Sequence, residues 1–271
     1  MAHDRTDPIV RTEMQGRGEA LVLVPGGLTG MDSWRPHADR LAHDHRVIVT
    51  QLLGVDLGLR NESLPAGYGL KTESHALMRA LDDRQVDRAH LIGWSNGGAI
   101  ALDVALDHPD RVRTLTLVEP AATWVLRGFG RFGHDAQAAQ RSMDAFDRDE
   151  ITEEHLEAFL YEAAIVPAAS DARSEPRWPV WVAHRRSLRA VAAPLHHDDD
   201  VARLTRFERP TLLFKGIGSN EYEREIVDLI GQACPHARVQ ELPGAHVLPL
   251  VSMEPFLAIL TAFVAEHRST D

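Results

Sequence analysis

His90-Leu-Ile-Gly-Trp-Ser-Asn-Gly-Gly-Ala-Ile-Ala-Leu-Asp-Val-Ala-Leu-Asp-His108 is the stretch on which the reading of this chain turns. It opens on a short apolar run, Leu91-Ile92, of the kind that ends a buried strand. It closes on an alanine-rich segment, Gly98 to Leu106, with apolar residues at helical spacing. Between them Gly93-Trp94-Ser95-Asn96-Gly97 fits G-x-S-x-G. So sharp a turn from strand to helix strains the serine backbone, and the small residues two before and two after it let strand and helix pass without a clash. The hydroxyl of Ser95 is pushed out above the sheet, and the N–H of Asn96 points at the same space from a helix N-terminus. The pentapeptide alone occurs by chance in ordinary turns. A strand before it and a helix after it mark Ser95 as a nucleophile.

Outward from this point, strand and helix alternate. Ile9 to Met14 reads as an edge strand, and Ala20-Leu-Val-Leu-Val24 as a strand covered on both faces that stops at Pro25-Gly26-Gly27-Leu28. A helix from Trp34 to His43, a strand from Arg46 to Thr50, a glycine-rich loop from Gln51 to Gly69 and a helix from Lys71 to Arg84 follow. Strands are expected at His90–Trp94, Arg113–Val118, Thr211–Lys215 and Arg238–Leu242, with helices at Glu221–Ala233 and Met253–His267. This rhythm predicts an α/β fold with a mostly parallel sheet and right-handed crossovers. From Ala121 to Arg206 it breaks: no strand pattern, helical patterns at Ala136–Phe146, Glu153–Ile165 and Pro179–Val191, and three of the 5 tryptophans. Residues 1–120 and 207–271 are therefore expected to form the core. Residues 121–206 are expected to form a helical cap over the carboxyl edge of the sheet, where open parallel sheets bind ligands.

Composition narrows the partners. A formal net charge of −11 argues against nucleic acid or an anionic membrane. A single cysteine, Cys234, cannot form an internal disulfide and is read as core packing in a reducing, cytoplasmic setting. Met1 to Pro8 lack the apolar centre of a signal peptide, and no apolar run reaches membrane-spanning length. A homodimer is left open.

Three motifs in order carry a resemblance. Pro25-Gly26-Gly27 with Trp34 downstream, Gly93-Trp94-Ser95-Asn96-Gly97, and Leu242-Pro243-Gly244-Ala245-His246 resemble the α/β-hydrolases over the whole chain. The resemblance implies an α/β-hydrolase fold with a cap, Ser95 as nucleophile, and His246 as its base among 15 histidines. It implies an oxyanion hole from the backbone N–H groups of Gly27 and Asn96, each donor worth about 3 kcal/mol of barrier. The usual acid is missing. Most of these proteins carry an Asp after the strand that follows the cap, whereas this segment reads Lys215-Gly216-Ile217-Gly218-Ser219-Asn220. Neither Ser nor Asn can hold the charge that stabilises an imidazolium. Glu119, at the tip of the strand beside that of Ser95, is the expected replacement, with Glu221 or Glu223 as rivals.

A serine nucleophile excludes dehalogenase and epoxide-hydrolase chemistry, which uses an Asp at that position. It leaves carboxylic esters, lactones, thioesters, amides and C–C bonds. A Ser–Glu–His triad, the entry loop Val24-Pro25-Gly26-Gly27-Leu28 and the segment Pro179-Val180-Trp181-Val182-Ala183-His184 look like the zearalenone lactone hydrolases. That likeness places Leu28, Trp94, Trp181 and His184 at the substrate, implies an aromatic or apolar ester or lactone, and calls for no metal or organic cofactor. His196-His197 beside Asp198-Asp199-Asp200 is read as a solvated loop, not a metal site. Two other readings stand beside it: a C–C bond hydrolase of aromatic catabolism, and a ligand-binding homologue with vestigial turnover.

Overall fold

A computed structural model of the chain describes residues 8–148 and 150–268, so the N-terminal residues 1–7 read above for targeting lie outside the described part. Seven strands form one sheet: β1 Thr12–Gln15, β2 Ala20–Val24, β3 Arg46–Thr50, β4 Ala89–Trp94, β5 Val112–Val118, β6 Thr211–Gly216 and β7 Ala237–Leu242. Their order is β1-β3-β2-β4-β5-β6-β7, with β1 antiparallel to β3 and every other neighbour pair parallel. β2, an unbroken apolar run, is buried throughout, and so is β4, where His90 is bonded to the Thr114 hydroxyl. The chain winds from β2 outward to β3, then returns across β2 to β4. The crevice at the carboxyl ends of β2 and β4 is therefore the switch point at which such sheets bind ligands. Pro25-Gly26-Gly27 and Ser95 follow those two ends directly.

Among the described residues twelve α-helices accompany the sheet: α1 Arg35–Leu41, α2 Leu53–Leu59, α3 Leu70–Asp83, α4 Asn96–Asp107, α5 Thr123–Gly128, α6 His134–Asp144, α7 Glu153–Glu162, α8 Trp178–His184, α9 Ala202–Thr205, α10 Glu221–Ala233, α11 Leu248–Val251 and α12 Met253–Glu266. One apolar layer joins α3, α4 and α10 to the sheet through Leu77, Ile100, Ile226 and Val227. A second joins α1 and α12 through Trp34, Leu41, Phe256 and Leu260. A third lies among the helices between β5 and β6, built on Leu156, Leu160, Trp181 and Leu188, and Leu28 of the entry loop belongs to it. Cys234 is buried in the first layer, where burial pushes its thiol up to about 12. Among the described residues no helix is long and apolar enough to cross a membrane.

Two segments differ from the sequence reading. The expected loop Gln51 to Gly69 contains α2, because Gly54 and Gly58 serve close packing and not chain reversal. A Cβ on Gly58 would lie 2.7 Å from the Ser187 nitrogen on the segment packed against α2. The expected helix Pro179–Val191 stops at His184 and continues as a 3-10 turn over Arg185–Ala190. There the Ser187 hydroxyl donates to the carbonyls of His184 and Leu28, drawing the chain onto the entry loop. β1 starts at Thr12, three residues later than read.

Candidate active site

Ser95 stands between β4 and α4 with φ 56° and ψ −120°, a conformation non-glycine residues seldom adopt. The neighbouring residues explain how it is held. A Cβ on Gly93 would lie 2.4 Å from the Gly97 carbonyl oxygen, and one on Gly97 would lie 2.3 Å from that of Pro25. The serine N–H donates to the Val118 carbonyl at 2.9 Å, and its own carbonyl accepts from Ala99 and Ala121. Asn96 is the first residue of α4, so its N–H is one of those the helix leaves without an internal acceptor. Gly27 packs against it: a Cβ there would sit 2.8 Å from the Asn96 amide nitrogen. The entry loop and the start of α4 thus form one small cradle beside Ser95.

Register places the carboxylate of Glu119. Trp94 pairs with Val118 across β4 and β5, so Ser95 and Glu119 leave adjacent strand ends together. Glu119 also has a positive φ, 40°, and its side chain is 1% exposed. Its Oε1 accepts from the Gly216 N–H at 2.6 Å, and its Oε2 lies 2.9 Å from His246 Nδ1. Burial raises the Glu119 pKa, but the hydrogen bond and charge of His246 outweigh it, and the carboxyl stays below its ordinary value. His246 itself loses by burial and gains more from the charge of Glu223 and the bond to Glu119, which carry it up to about 9. Its position is further fixed by Trp94, whose indole N–H donates to the His246 carbonyl at 2.9 Å. Trp34 braces the same corner, donating to the Val24 carbonyl and meeting Trp94 edge-on.

Ser95, Gly27 and His246 line both arms of a cavity. One arm, about 510 Å³, is walled by Leu28, Trp94, Phe159, Trp181 and Leu250, with Arg177 among its lining. The other, about 570 Å³, is walled by Met143, Phe159, Val191, Leu195 and Ile226, with Glu119 and Glu223 at its inner end. Leu28, Trp94 and Trp181, read as substrate contacts, line the first arm together with Ser95. His184 does not: its Nδ1 is bonded to the Val180 carbonyl, its Nε2 lies 3.8 Å from Asp32, and it lines neither arm. Of the two rivals of Glu119, Glu223 is buried with Oε1 3.2 Å from His246 Nδ1, whereas Glu221 lines neither arm. Phe159, Met143, Val191 and Leu195 were missed. Their helical spacing signals burial but not what they face.

Two groups place metal-type ligand atoms within 4.8 Å of one another. Asp103, His197 and Asp199 form one, so the loop read as solvated folds onto α4. Its carboxylates already hold Lys71 at 2.6 Å and Arg203 at 2.5 Å. Glu119, Glu223 and His246 form the other, and there the imidazole supplies the positive partner.

A family model described as "alpha/beta hydrolase fold" matches residues 19–156. The chain belongs to that family. It is 28% identical over 269 residues to a protein named carbamate hydrolase RutD from Stutzerimonas stutzeri, covering 94% of this chain and 96% of that one. It is 31% identical over 205 residues to a 2-hydroxymuconate semialdehyde hydrolase from Pseudomonas sp. strain CF600, covering 70% and 71% of the two. A crystal structure of a hydrolase from Pseudomonas aeruginosa superposes with a TM-score of 0.78 at 25% identity, covering 94% of each chain.

Proposed function

We propose that this member of the family is a serine hydrolase of carboxylic esters or lactones, working through an acyl-enzyme on Ser95. One observation supports the reading above the others. A buried imidazole held by a carboxylate shares an apolar cavity with a serine in the strained strand-to-helix turn. In this mechanism His246 takes the Ser95 proton as the hydroxyl attacks the carbonyl carbon, and Glu119 stabilises the imidazolium. The N–H groups of Gly27 and Asn96 receive the oxyanion, and His246 protonates the departing oxygen. A water activated by His246 then hydrolyses the acyl-enzyme. Residues 121–206 act as the cap, and the site requires neither metal nor organic cofactor.

The two arms meeting at Ser95 favour a substrate with apolar bulk on both sides of its carbonyl. In a lactone both sides belong to one ring, and the leaving alcohol stays tethered, so deacylation must outrun reclosure. A zearalenone-type resorcylic macrolactone, with Trp181 over its aromatic part, is the specific substrate this reading names. The test is hydrolysis of p-nitrophenyl esters and of zearalenone by the wild type and Ser95→Ala, with labelling of Ser95 by a fluorophosphonate. Turnover of zearalenone above that of simple esters supports the macrolactone. Ester turnover without it limits the proposal to esters. No turnover and no label sinks the hydrolytic reading and leaves a binding homologue.

A second reading has its own support. The 2-hydroxymuconate semialdehyde hydrolase relative favours C–C cleavage of an oxo-dienoate, with the anion docking at Arg177 in the first arm. Activity on such a dienoate and none on esters would select it.

A further inference from the structure

Glu119 accounts for one side of His246 only. Glu223, in the first turn of α10, approaches the same nitrogen: Oε1 is 3.2 Å from Nδ1, against 2.9 Å for Oε2 of Glu119. Nothing about this approach is accidental to a flexible side chain. Glu223 is 8% exposed, and its Oε2 accepts the Asn220 N–H at 3.2 Å as part of the helix cap. Asn220 is tied in turn to the Glu162 carbonyl on α7. The two carboxylates thus come from different elements, β5 and α10, and converge on one imidazole.

We propose that Glu223 is a second positioning carboxylate for His246, sharing its Nδ1 proton with Glu119 and able to hold the base when Glu119 is removed. The inference rests on the serine-hydrolase reading of Ser95 and His246. A lone buried carboxylate would be costly here, and two are more so. What compensates them is the positive charge of the protonated imidazole, so a second carboxylate holds His246 most strongly in its charged form. Glu119 remains the first partner: it has the shorter contact and a second anchor in the Gly216 N–H. Glu223 lacks such an anchor on Oε1. Burial, with Glu119 nearby and only partly offset by His246, raises it to about 7. The ionisable groups around it are Glu119 from β5, His246 from the loop after β7, its neighbour Tyr222, and Glu162 beyond Tyr222 and Asn220. The cations Arg131, Lys215 and Arg224 around α10 are engaged by Glu225, Asp228 and Glu241.

The test compares E119Q, E223Q and E119Q/E223Q, since Gln keeps the shape and the capping bond. Ester kinetics should show E223Q slower by about 3- to 10-fold and E119Q by about 10²-fold. The double variant should fall by about 10⁴-fold, the loss typical of a triad left without its acid and more than the product of the single effects. A histidine-selective NMR titration supplies a readout independent of turnover. The His246 midpoint should drop toward 6.5 in either single variant and pass below it only in the double, where burial acts unopposed. Single effects that simply multiply, with equal midpoints in wild type and E223Q, would overturn the second carboxylate. A wild type inert toward every ester would instead end the hydrolase reading while leaving the titration to be judged on its own.

Discussion

The strand ends and the helices between β5 and β6 face each other across one serine and obey different rules. At the strand ends, backbone meets backbone at distances that admit no alternative residue. Gly93 and Gly97 are required because any Cβ would penetrate a carbonyl oxygen at under 2.5 Å. Between β5 and β6, the same cavity is walled by Met143, Phe159, Val191 and Leu195, side chains for which another apolar residue of similar volume would serve. Chemistry is thus held by steric necessity and substrate choice by replaceable bulk. A family can keep one reaction centre under many specificities on those terms.

Four measurements would break or sharpen this contrast. Ser95→Ala should lower kcat by about 10⁶-fold while leaving substrate affinity within an order of magnitude. Retained turnover would remove the strand ends from the chemistry altogether. Gly97→Ala should destabilise the fold by roughly 3–5 kcal/mol, read as the loss in a denaturant titration. The volume-conserving Leu195→Met in the cap should cost less than about 1.5 kcal/mol. Equal costs would erase the distinction. Trp181→Ala should cut kcat/KM for a bulky aromatic ester by about 10- to 100-fold, because the ring contributes apolar contact to that substrate. Under those conditions p-nitrophenyl acetate should be little affected, and a parallel loss on both would make Trp181 a packing residue only. The smallest effect per step is that of pH. Below its midpoint His246 is charged and cannot accept the serine proton, so kcat/KM should climb up to tenfold per pH unit and level near pH 9. Trp181→Ala should leave that profile unmoved.

The same contrast explains what could be read from the chain alone. Ser95 and His246 sit in short motifs whose glycines mark backbone constraint, and Glu119 could be placed because strand neighbours follow from the alternating pattern. The parallel sheet was legible for the same reason. α2 was not, since Gly58 serves an approach to Ser187 that lies far away in sequence. Glu223 appeared only as a rival of Glu119. That both reach Nδ1 depends on how α10 leans over the end of β5, a tertiary relation without a local signal. His184 shared a short motif with Trp181, yet its imidazole is bonded back to the Val180 carbonyl and lines neither arm of the cavity.

Ser219, where the resemblance led us to expect an acid, lies three residues after Gly216, whose N–H holds Glu119. A base reachable from β5 and from the segment after β6 offers a lineage a route between the two arrangements. A carboxylate at either place keeps the histidine from standing alone.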